Sequence, residues 1–90
     1  MTDTPALWPG MDPTADNRLA AAWRDLWAGA TQPVEWALAR DELAARHDLA
    51  HRTTDNIIRT AVRNGHLTKR GGYSHKRHTD TRTIERKDHR

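Results

Sequence analysis

Apolar residues recur at helical spacing in the first third of the chain. Leu19, Trp23 and Leu26 follow one another at intervals of four and three residues, which places them on one side of a helix. The Asp-Pro pair at 12–13 precedes this run, and Gly29 follows it. An aspartate accepts hydrogen bonds from the free amides of a helix N-terminus, and proline fits the first helical turn. We therefore expect a first helix from 12–13 to Gly29, with its apolar side in the core.

A second helix is expected over residues 39–47. Leu43 and Ala44 take inward-facing positions in this helix, and the acidic pair at 41–42 suits the positive electrostatic field near a helix N-terminus. Residues 34–38 lie between the first two helices and are interpreted as a short strand.

A turn and a third helix come next. Residues 48–50 offer an aspartate that tolerates left-handed backbone angles, an apolar leucine for the core and a small alanine. The helix is expected from His51 to Asn64, because Gly65 can adopt the left-handed backbone that ends many helices. Its packed side is expected to consist of Thr54, Ile57, Ile58, Ala61 and Val62, and its outward side of Arg52, Asn56, Arg59, Thr60 and Arg63.

The last part of the chain predicts a basic β-hairpin. Two pairings fit the alternation of side chains over 67–74 and 81–86. In one, the glycines at 71–72 form a tight turn close to the third helix. In the other, 67–74 is one strand with a bulge at the glycines, residues 75–80 form the tip, and 81–86 return. We favour the second pairing, because the strand at 81–86 needs a partner of matching length.

Charge is divided unevenly along the 90-residue chain, whose net charge is +3. Residues 1–45 carry three arginines and seven acids, a net charge of −4, whereas residues 46–90 carry twelve Lys or Arg and five acids, a net charge of +7. All four tryptophans lie in the acidic half and all six histidines in the basic half. This asymmetry separates an apolar scaffold from a cationic surface and points to nucleic acid or another acidic partner.

Several classes of protein are disfavoured by what the sequence lacks. It contains no cysteine, which excludes disulfides and zinc–thiolate sites and favours an intracellular location. No stretch approaches the roughly 18 apolar residues of a membrane span, and the N-terminus has no secretory pattern, so we expect a cytoplasmic protein without membrane association. Ser74 is the only serine, no glycine-rich phosphate loop with a following lysine is present, and the carboxylates are scattered. We therefore expect neither an enzyme nor a cofactor.

In their order and spacing, these features resemble the winged helix-turn-helix regulators of bacteria and phages. The resemblance covers residues 34–86 and rests on Glu42-Leu43-Ala44 in the second helix, Leu49 in the turn, Thr53-Thr54 at the start of the third helix and Asn64-Gly65-His66-Leu67 before the hairpin. It implies a mainly α fold of three helices with a small β-hairpin, the wing. In that superfamily the third, recognition helix enters the major groove, the wing contacts the flanking backbone or minor groove, and dimers on palindromic sites are frequent.

A chain of 90 residues can hold one small domain, which we expect over residues 12–86. Residues 1–11 are expected to form an irregular arm, whose Leu7 and Trp8 either fold back onto the core or belong to a frayed tail. Residues 87–90 are expected to be a polar tail. The chain has no sensor domain and no long C-terminal dimerisation helix, which favours a small phage, plasmid or mobile-element regulator, or an excisionase-like accessory factor.

Double-stranded DNA is therefore the expected partner, for transcriptional or recombination control. Arginine can bond guanine bidentately and asparagine can bond adenine, while threonine offers a hydroxyl to phosphate and a methyl to thymine. The contacts expected from the recognition helix are His51, Arg52, Thr53, Asn56, Arg59, Thr60 and Arg63. Those expected from the wing, on phosphates or in a minor groove, are Lys69, Arg70, His75, Lys76, Arg77, His78 and Arg82.

Asp55 is an acidic exception within the basic recognition helix. It can accept a hydrogen bond from a cytosine amino group, hold Arg52 or Arg59 in position, or favour the helix N-terminus, and we favour the last two roles. Tyr73 is expected either to support the wing or to bond a phosphate.

The spacing of four histidines raises the question of a metal site. His47 and His51 are four residues apart, and His75 and His78 are three apart. The two pairs fall in different elements, and no carboxylate or thiolate is fixed nearby by spacing, so no metal site is expected. His51, His75 and His78 are instead expected to touch phosphate.

Two other functions stay open at this point. A winged-helix protein-interaction module would meet a host protein through Trp8, Trp23 and Trp27 or the acidic helix, and a cluster of exposed tryptophans would favour it. RNA binding is expected to need aromatic stacking groups, and Tyr73 is the sole Phe, Tyr or Trp in the basic half. A homodimer is also left open as a state of the protein.

Overall fold

The computed structural model describes residues 4–87, which form three helices and a small antiparallel sheet. The helices are α1 (Arg18–Gly29), α2 (Trp36–His47) and α3 (His51–Arg63). The strands are β1 (Val34–Glu35), β2 (Leu67–Arg70), β3 (Tyr73–Ser74), β4 (Thr79–Asp80) and β5 (Thr83–Arg86). Residues 1–3 of the expected arm and 88–90 of the expected tail lie outside the described residues.

α1 begins later than the sequence predicted. The carboxylate of Asp12 accepts hydrogen bonds from the backbone N–H and the hydroxyl of Thr14, at 2.9 and 2.7 Å, so it closes a local turn and does not cap the helix. The cap is Asn17, whose side-chain oxygen accepts a hydrogen bond from the backbone N–H of Ala20 at 2.8 Å. The predicted start at 12–13 is therefore wrong, whereas the predicted end at Gly29 is confirmed.

α2 begins at Trp36, earlier than the expected residue 39. The backbone N–H of Trp36 donates to the carbonyl of Arg82 at 3.0 Å, and the Trp36 side chain is buried. The Arg82 carbonyl thus accepts from one of the free amides in the first turn of α2, which begins directly after β1 ends at Glu35. The predicted strand over 34–38 is therefore too long, and the acids at 41–42 lie beyond the first turn of α2, not at its N-terminus.

The predicted turn between α2 and α3 is confirmed. Asp48 has a φ of 53°, in the left-handed region, and Leu49 packs against the core while its backbone N–H donates to the carbonyl of Ala44 at 3.0 Å. The buried hydroxyl of Thr54 donates to the carbonyl of Arg40 at 2.9 Å, which ties α3 to α2. α3 ends at Arg63, one residue before the predicted Asn64, which is its C-cap.

β5 is the central strand of a three-stranded sheet, with β1 on one side and β2 on the other. Ile84 lies opposite Val34 in β1 and opposite Lys69 in β2. β3 and β4 extend the β2–β5 hairpin outward to a turn at residues 75–78. Of the two predicted pairings, the longer hairpin is confirmed and the tight turn at the glycines is wrong. The tip is shorter than predicted, because Thr79–Asp80 belong to β4.

The strands of the hairpin come very close at the two glycines. Arg70 pairs with Thr83 and Tyr73 pairs with Asp80, so two residues on each strand separate the ladders and no extra residue is present. The predicted bulge is therefore wrong, and the hairpin keeps one register through the break. Gly71 has a φ of +80°, and a Cβ at this position would lie 2.2 Å from the carbonyl oxygen of Thr81. Glycine is thus required at 71 for both its backbone angle and the close approach of the strands.

The core is formed where the three helices meet the sheet, around the fully buried side chains of Trp23, Ile58 and Ile84. The arm packs onto it: Leu7 is buried, the Trp23 indole N–H donates to the carbonyl of Pro5, and the Asn64 amide donates to the carbonyl of Leu7. The fold-back alternative is therefore confirmed for Leu7. None of the helices in residues 4–87 is both long and apolar enough to cross a membrane.

Candidate nucleic-acid interface

α3 buries one side in the core and presents the other to solvent. Thr54, Ile57, Ile58 and Ala61 form its buried side. The helical period places four exposed residues opposite them, and we call this set the α3 face: Arg52, Asn56, Arg59 and Arg63. Of the other expected helix contacts, His51 is exposed at the first position of α3, and Thr53 and Thr60 are half-buried along one flank.

The hairpin carries a second group of exposed cationic and titratable side chains. Lys69 and Arg70 are exposed on β2, and the turn beyond β3 exposes His75, Lys76, Arg77 and His78. Arg82 differs from these expected wing contacts. Its side chain is only 16 % exposed, and its Nε and Nη2 donate to Oδ1 and Oδ2 of Asp80, both at 2.9 Å. Its guanidinium is therefore already bound within the protein.

Within residues 4–87 the unpaired cations lie on α3, in the hairpin and directly after it, although Arg59 and Arg82 in the same region are paired. Arg18, Arg40 and Arg46 form ion pairs with aspartates on or near the first two helices. Arg24 and Arg86 donate to backbone carbonyls. The cations whose side chains have no hydrogen bond, ion pair or ring contact with another described residue are Arg52 and Arg63 on the α3 face, Lys69, Arg70, Lys76 and Arg77 in the hairpin, and Lys87 after β5. Positive charge without a partner in the described residues is thus concentrated on α3, in the hairpin and at Lys87.

Asp55 holds the third arginine of the α3 face. The Nε–H of Arg59 donates to Asp55 Oδ2 at 2.5 Å, and the indole N–H of Trp36 donates to Asp55 Oδ1 at 2.8 Å. Partial burial acts to raise the pKa of Asp55, but the hydrogen bonds from Trp36 and Arg59 outweigh it and hold the pKa below the usual aspartate value. Of the two arginines considered from the sequence, Asp55 therefore binds Arg59.

Trp36 lies between α3 and the base of the hairpin. The guanidinium carbon of Arg82 lies 4.3 Å from the centre of the Trp36 ring, on the face of the indole, a geometry that favours a cation–π interaction. The hydrogen bonds from Arg82 lower the pKa of Asp80, and this ion pair holds Arg82 over the ring. A continuous set of contacts thus joins Asp80 and Arg82 in the hairpin, through Trp36, to Asp55 on α3.

Sequence reasoning missed the role of Trp36. It assigned all four tryptophans to the apolar scaffold, and Trp36 and Asp55 are 19 residues apart on different helices, so no periodicity relates them. It also missed a shallow groove beside α3, which Trp8 and Leu19 line together with Thr53, Asn56 and Thr60. A helix-start signal read at Asn17 would have placed Leu19 in the first turn of α1, but nothing in the sequence places Trp8 beside α3.

The histidines have varied surroundings. His47 Nε2 lies 3.0 Å from Asp25 Oδ2, and His51 Nδ1 lies 3.6 Å from Asp41 Oδ1. Tyr73 is exposed, and its ring meets the His75 ring edge-on with 4.7 Å between centroids. Among residues 4–87, no three His, Asp or Glu side chains are grouped so that they could hold a metal ion.

Comparisons of the chain with protein-family models, with curated proteins and with solved structures found no match. The geometry of the described residues is therefore the basis on which a function is proposed.

Proposed function

We propose that the chain is a winged helix-turn-helix protein that binds double-stranded DNA in a sequence-specific manner. In this proposal α3 enters the major groove, and the hairpin is the wing, on the phosphate backbone or in the minor groove. The biological role is transcriptional or recombination control in a bacterium, a phage or a mobile element. The observation that carries the proposal is the concentration of unpaired cations, within the part of the chain that the structure describes, on α3, in the hairpin and at Lys87.

Unpaired cations that cluster in one region of a surface repel one another, and a polyanion that binds there relieves this repulsion. Duplex DNA is such a ligand, because it presents regularly spaced phosphates whose counterions are released when lysines and arginines replace them. These unpaired cations lie on α3 and in the hairpin, and the contacts of Trp36 with Asp55 and Arg82 join α3 to the hairpin. A ligand with charge repeated along its length can contact both.

The shape and chemistry of the α3 face also support duplex DNA. An α-helix fits the roughly 12 Å width of the major groove of B-form DNA. Arg52, Asn56, Arg59 and Arg63 are exposed together on one side of α3. Arginine and asparagine are the residue types that bond guanine and adenine edges in that groove, so the α3 face offers base contacts as well as charge.

The charge argument is tested by salt titration of DNA affinity. A double variant, Lys76→Gln with Arg77→Gln, removes two unpaired cations, and the matched control, Arg18→Gln with Arg46→Gln, removes two paired ones. We expect the hairpin variant to bind all duplexes more weakly and to reduce the slope of log affinity against log salt by about 1 for each lost phosphate contact. The control should keep the wild-type slope. Equal losses in both variants would contradict the proposal.

Protein interaction is the second candidate, and one observation favours it. Trp8 and Leu19 are 36 % and 38 % exposed and line the same groove. The exposed tryptophan cluster that would have favoured this function more strongly is not found, because Trp23 and Trp27 are buried. RNA binding ranks below both candidates. It is distinguished from DNA binding by competition between an A-form RNA duplex and a DNA duplex of equal length.

A further inference from the structure

We infer that Arg59 is the residue that reads a guanine, and that Asp55 is a positioning residue that presents Arg59 to the base. This inference rests on the proposed DNA-binding function and adds to it a base and a division of labour. Arg59 supplies base preference, while Arg52 and Arg63 supply affinity for any sequence.

The contact between Asp55 and Arg59 leaves both terminal nitrogens of the guanidinium, Nη1 and Nη2, available to a ligand. Only Nε of Arg59 donates to the carboxylate, and neither terminal nitrogen has a hydrogen bond to another residue in 4–87. Nη1 and Nη2 together can donate to O6 and N7 of guanine, which is the commonest specific contact in the major groove. The side chain of Arg59 is 57 % exposed, so the terminal nitrogens have access to a ligand.

Asp55 is itself held in place by a hydrogen bond from Trp36. Its Oδ1 accepts a hydrogen bond from the Trp36 indole at 2.8 Å. Trp36 is only 3 % exposed, and the guanidinium of Arg82, which is paired with Asp80, lies over its ring. An arginine held through such a carboxylate loses less conformational freedom on binding than a free one. It also keeps a defined direction, which base discrimination requires.

Arg52 and Arg63 have no such support within the described residues. Their long side chains can follow a phosphate wherever the backbone lies, which gives affinity without base preference. The three arginines of the α3 face are thus chemically identical but differently constrained.

The test is the variant Asp55→Asn. Its amide has a single acceptor oxygen, so it can accept from the Trp36 indole or from Arg59 Nε but not from both, and it carries no charge to attract the guanidinium. We expect the preference for guanine at one position of the selected site, on the order of 10-fold to 100-fold for a bidentate contact, to fall to nearly none. Affinity for mixed-sequence duplex should stay equal or rise. The matched control Asp16→Asn removes the same charge from an exposed site on the other half of the chain and should leave the preference unchanged.

Three further measurements separate a positioning role from a structural one. Replacing the preferred guanine by 7-deazaguanine removes the N7 acceptor; this should weaken the wild type and leave Arg59→Ala unaffected. In the Arg59→Ala background, Asp55→Asn should have no further effect on base preference, because coupled residues are non-additive. Trp36→Phe, which removes the indole donor and leaves a smaller ring at the buried position, should lower the preference in part, with the thermal unfolding midpoint measured alongside to separate this effect from lost packing.

The outcomes are distinct. A wild type with no preferred motif would overturn the proposed sequence-specific function and this inference with it. A clear motif that Asp55→Asn and Trp36→Phe leave unchanged would overturn only the inference. A guanine preference that survives Arg59→Ala but is lost in Asp55→Asn would mean that Asp55 reads the cytosine of that pair directly, and would also overturn it.

Discussion

At the scale of single residues, two aspartates each hold an arginine in place: Asp55 binds Arg59 of the α3 face, and Asp80 binds Arg82, which lies over Trp36. The side chains of Asp55 and Asp80 are 20 % and 18 % exposed, and their pKa values lie below the usual range because of hydrogen bonds from Arg59 and Trp36 and from Arg82. The folded state therefore favours the ionised carboxylates. Their contribution to stability is present above the unfolded-state pKa, which is about 3.9, and is lost as the pH falls through the lower folded-state values.

The pH dependence of stability gives a prediction for Asp80. Asp80→Asn removes a carboxylate that titrates at lower pH in the folded state, so the variant should be less stable than the wild type at neutral pH. Its thermal unfolding midpoint should fall less steeply than that of the wild type as the pH drops below about 4. Unfolding followed by circular dichroism at a series of pH values measures both curves. Parallel curves for variant and wild type would show that Asp80 is not stabilised as an anion in the fold.

At the scale of elements, the sequence predicted well what depends on local periodicity. The turn at Asp48, the packed side of α3 and the long hairpin are confirmed. The wrong start of α1 has a local cause, the turn that Asp12 forms with Thr14, whereas the wrong start of α2 depends on a distant residue. Trp36 starts α2 early because its backbone bonds Arg82 across the sheet and its ring is buried, and no local pattern contains that information.

The candidate site was predicted in the same uneven way. The exposed residues on α3 and at the hairpin turn follow from helical period and from charge. Arg82 was expected to contact DNA because it is a cation in the hairpin, but its ion pair with Asp80 and its stacking on Trp36 depend on tertiary packing. The contact between Asp55 and Arg59 was accessible from sequence because it follows the i, i+4 rule.

The break in the hairpin at the glycines gives a prediction about this element. Gly71→Ala would force a Cβ against the Thr81 carbonyl at a φ of +80°. We expect it to destabilise the protein by at least about 1–2 kcal/mol, the cost of left-handed backbone for a residue with a Cβ. The neighbouring Gly72→Ala is the matched control, because a Cβ there meets nothing within 4 Å. Urea unfolding of the two variants measures the difference, and equal destabilisation would contradict the described approach of the strands.

At the scale of the whole molecule, the cations of the described residues differ in whether they are paired within the fold. The arginines of the first two helices are used internally, in ion pairs and in bonds to carbonyls. Among residues 4–87, the unpaired cations lie on α3, in the hairpin and at Lys87. A net charge of only +3 therefore understates the positive potential that an approaching polyanion meets near α3 and the hairpin. Affinity for DNA should depend on this local charge, and sequence preference on the α3 face.

The most direct test of the central claim is selection of bound sequences from a randomised duplex DNA library, carried through several rounds at a low and a high salt concentration. We predict an enriched motif that persists at the higher salt, and its symmetry will show whether one chain or a pair binds each site. Binding without enrichment, lost steeply as salt rises, would contradict sequence-specific recognition and leave a nonspecific phosphate binder. No binding at either salt would contradict DNA binding altogether and direct attention to the groove at Trp8 and Leu19.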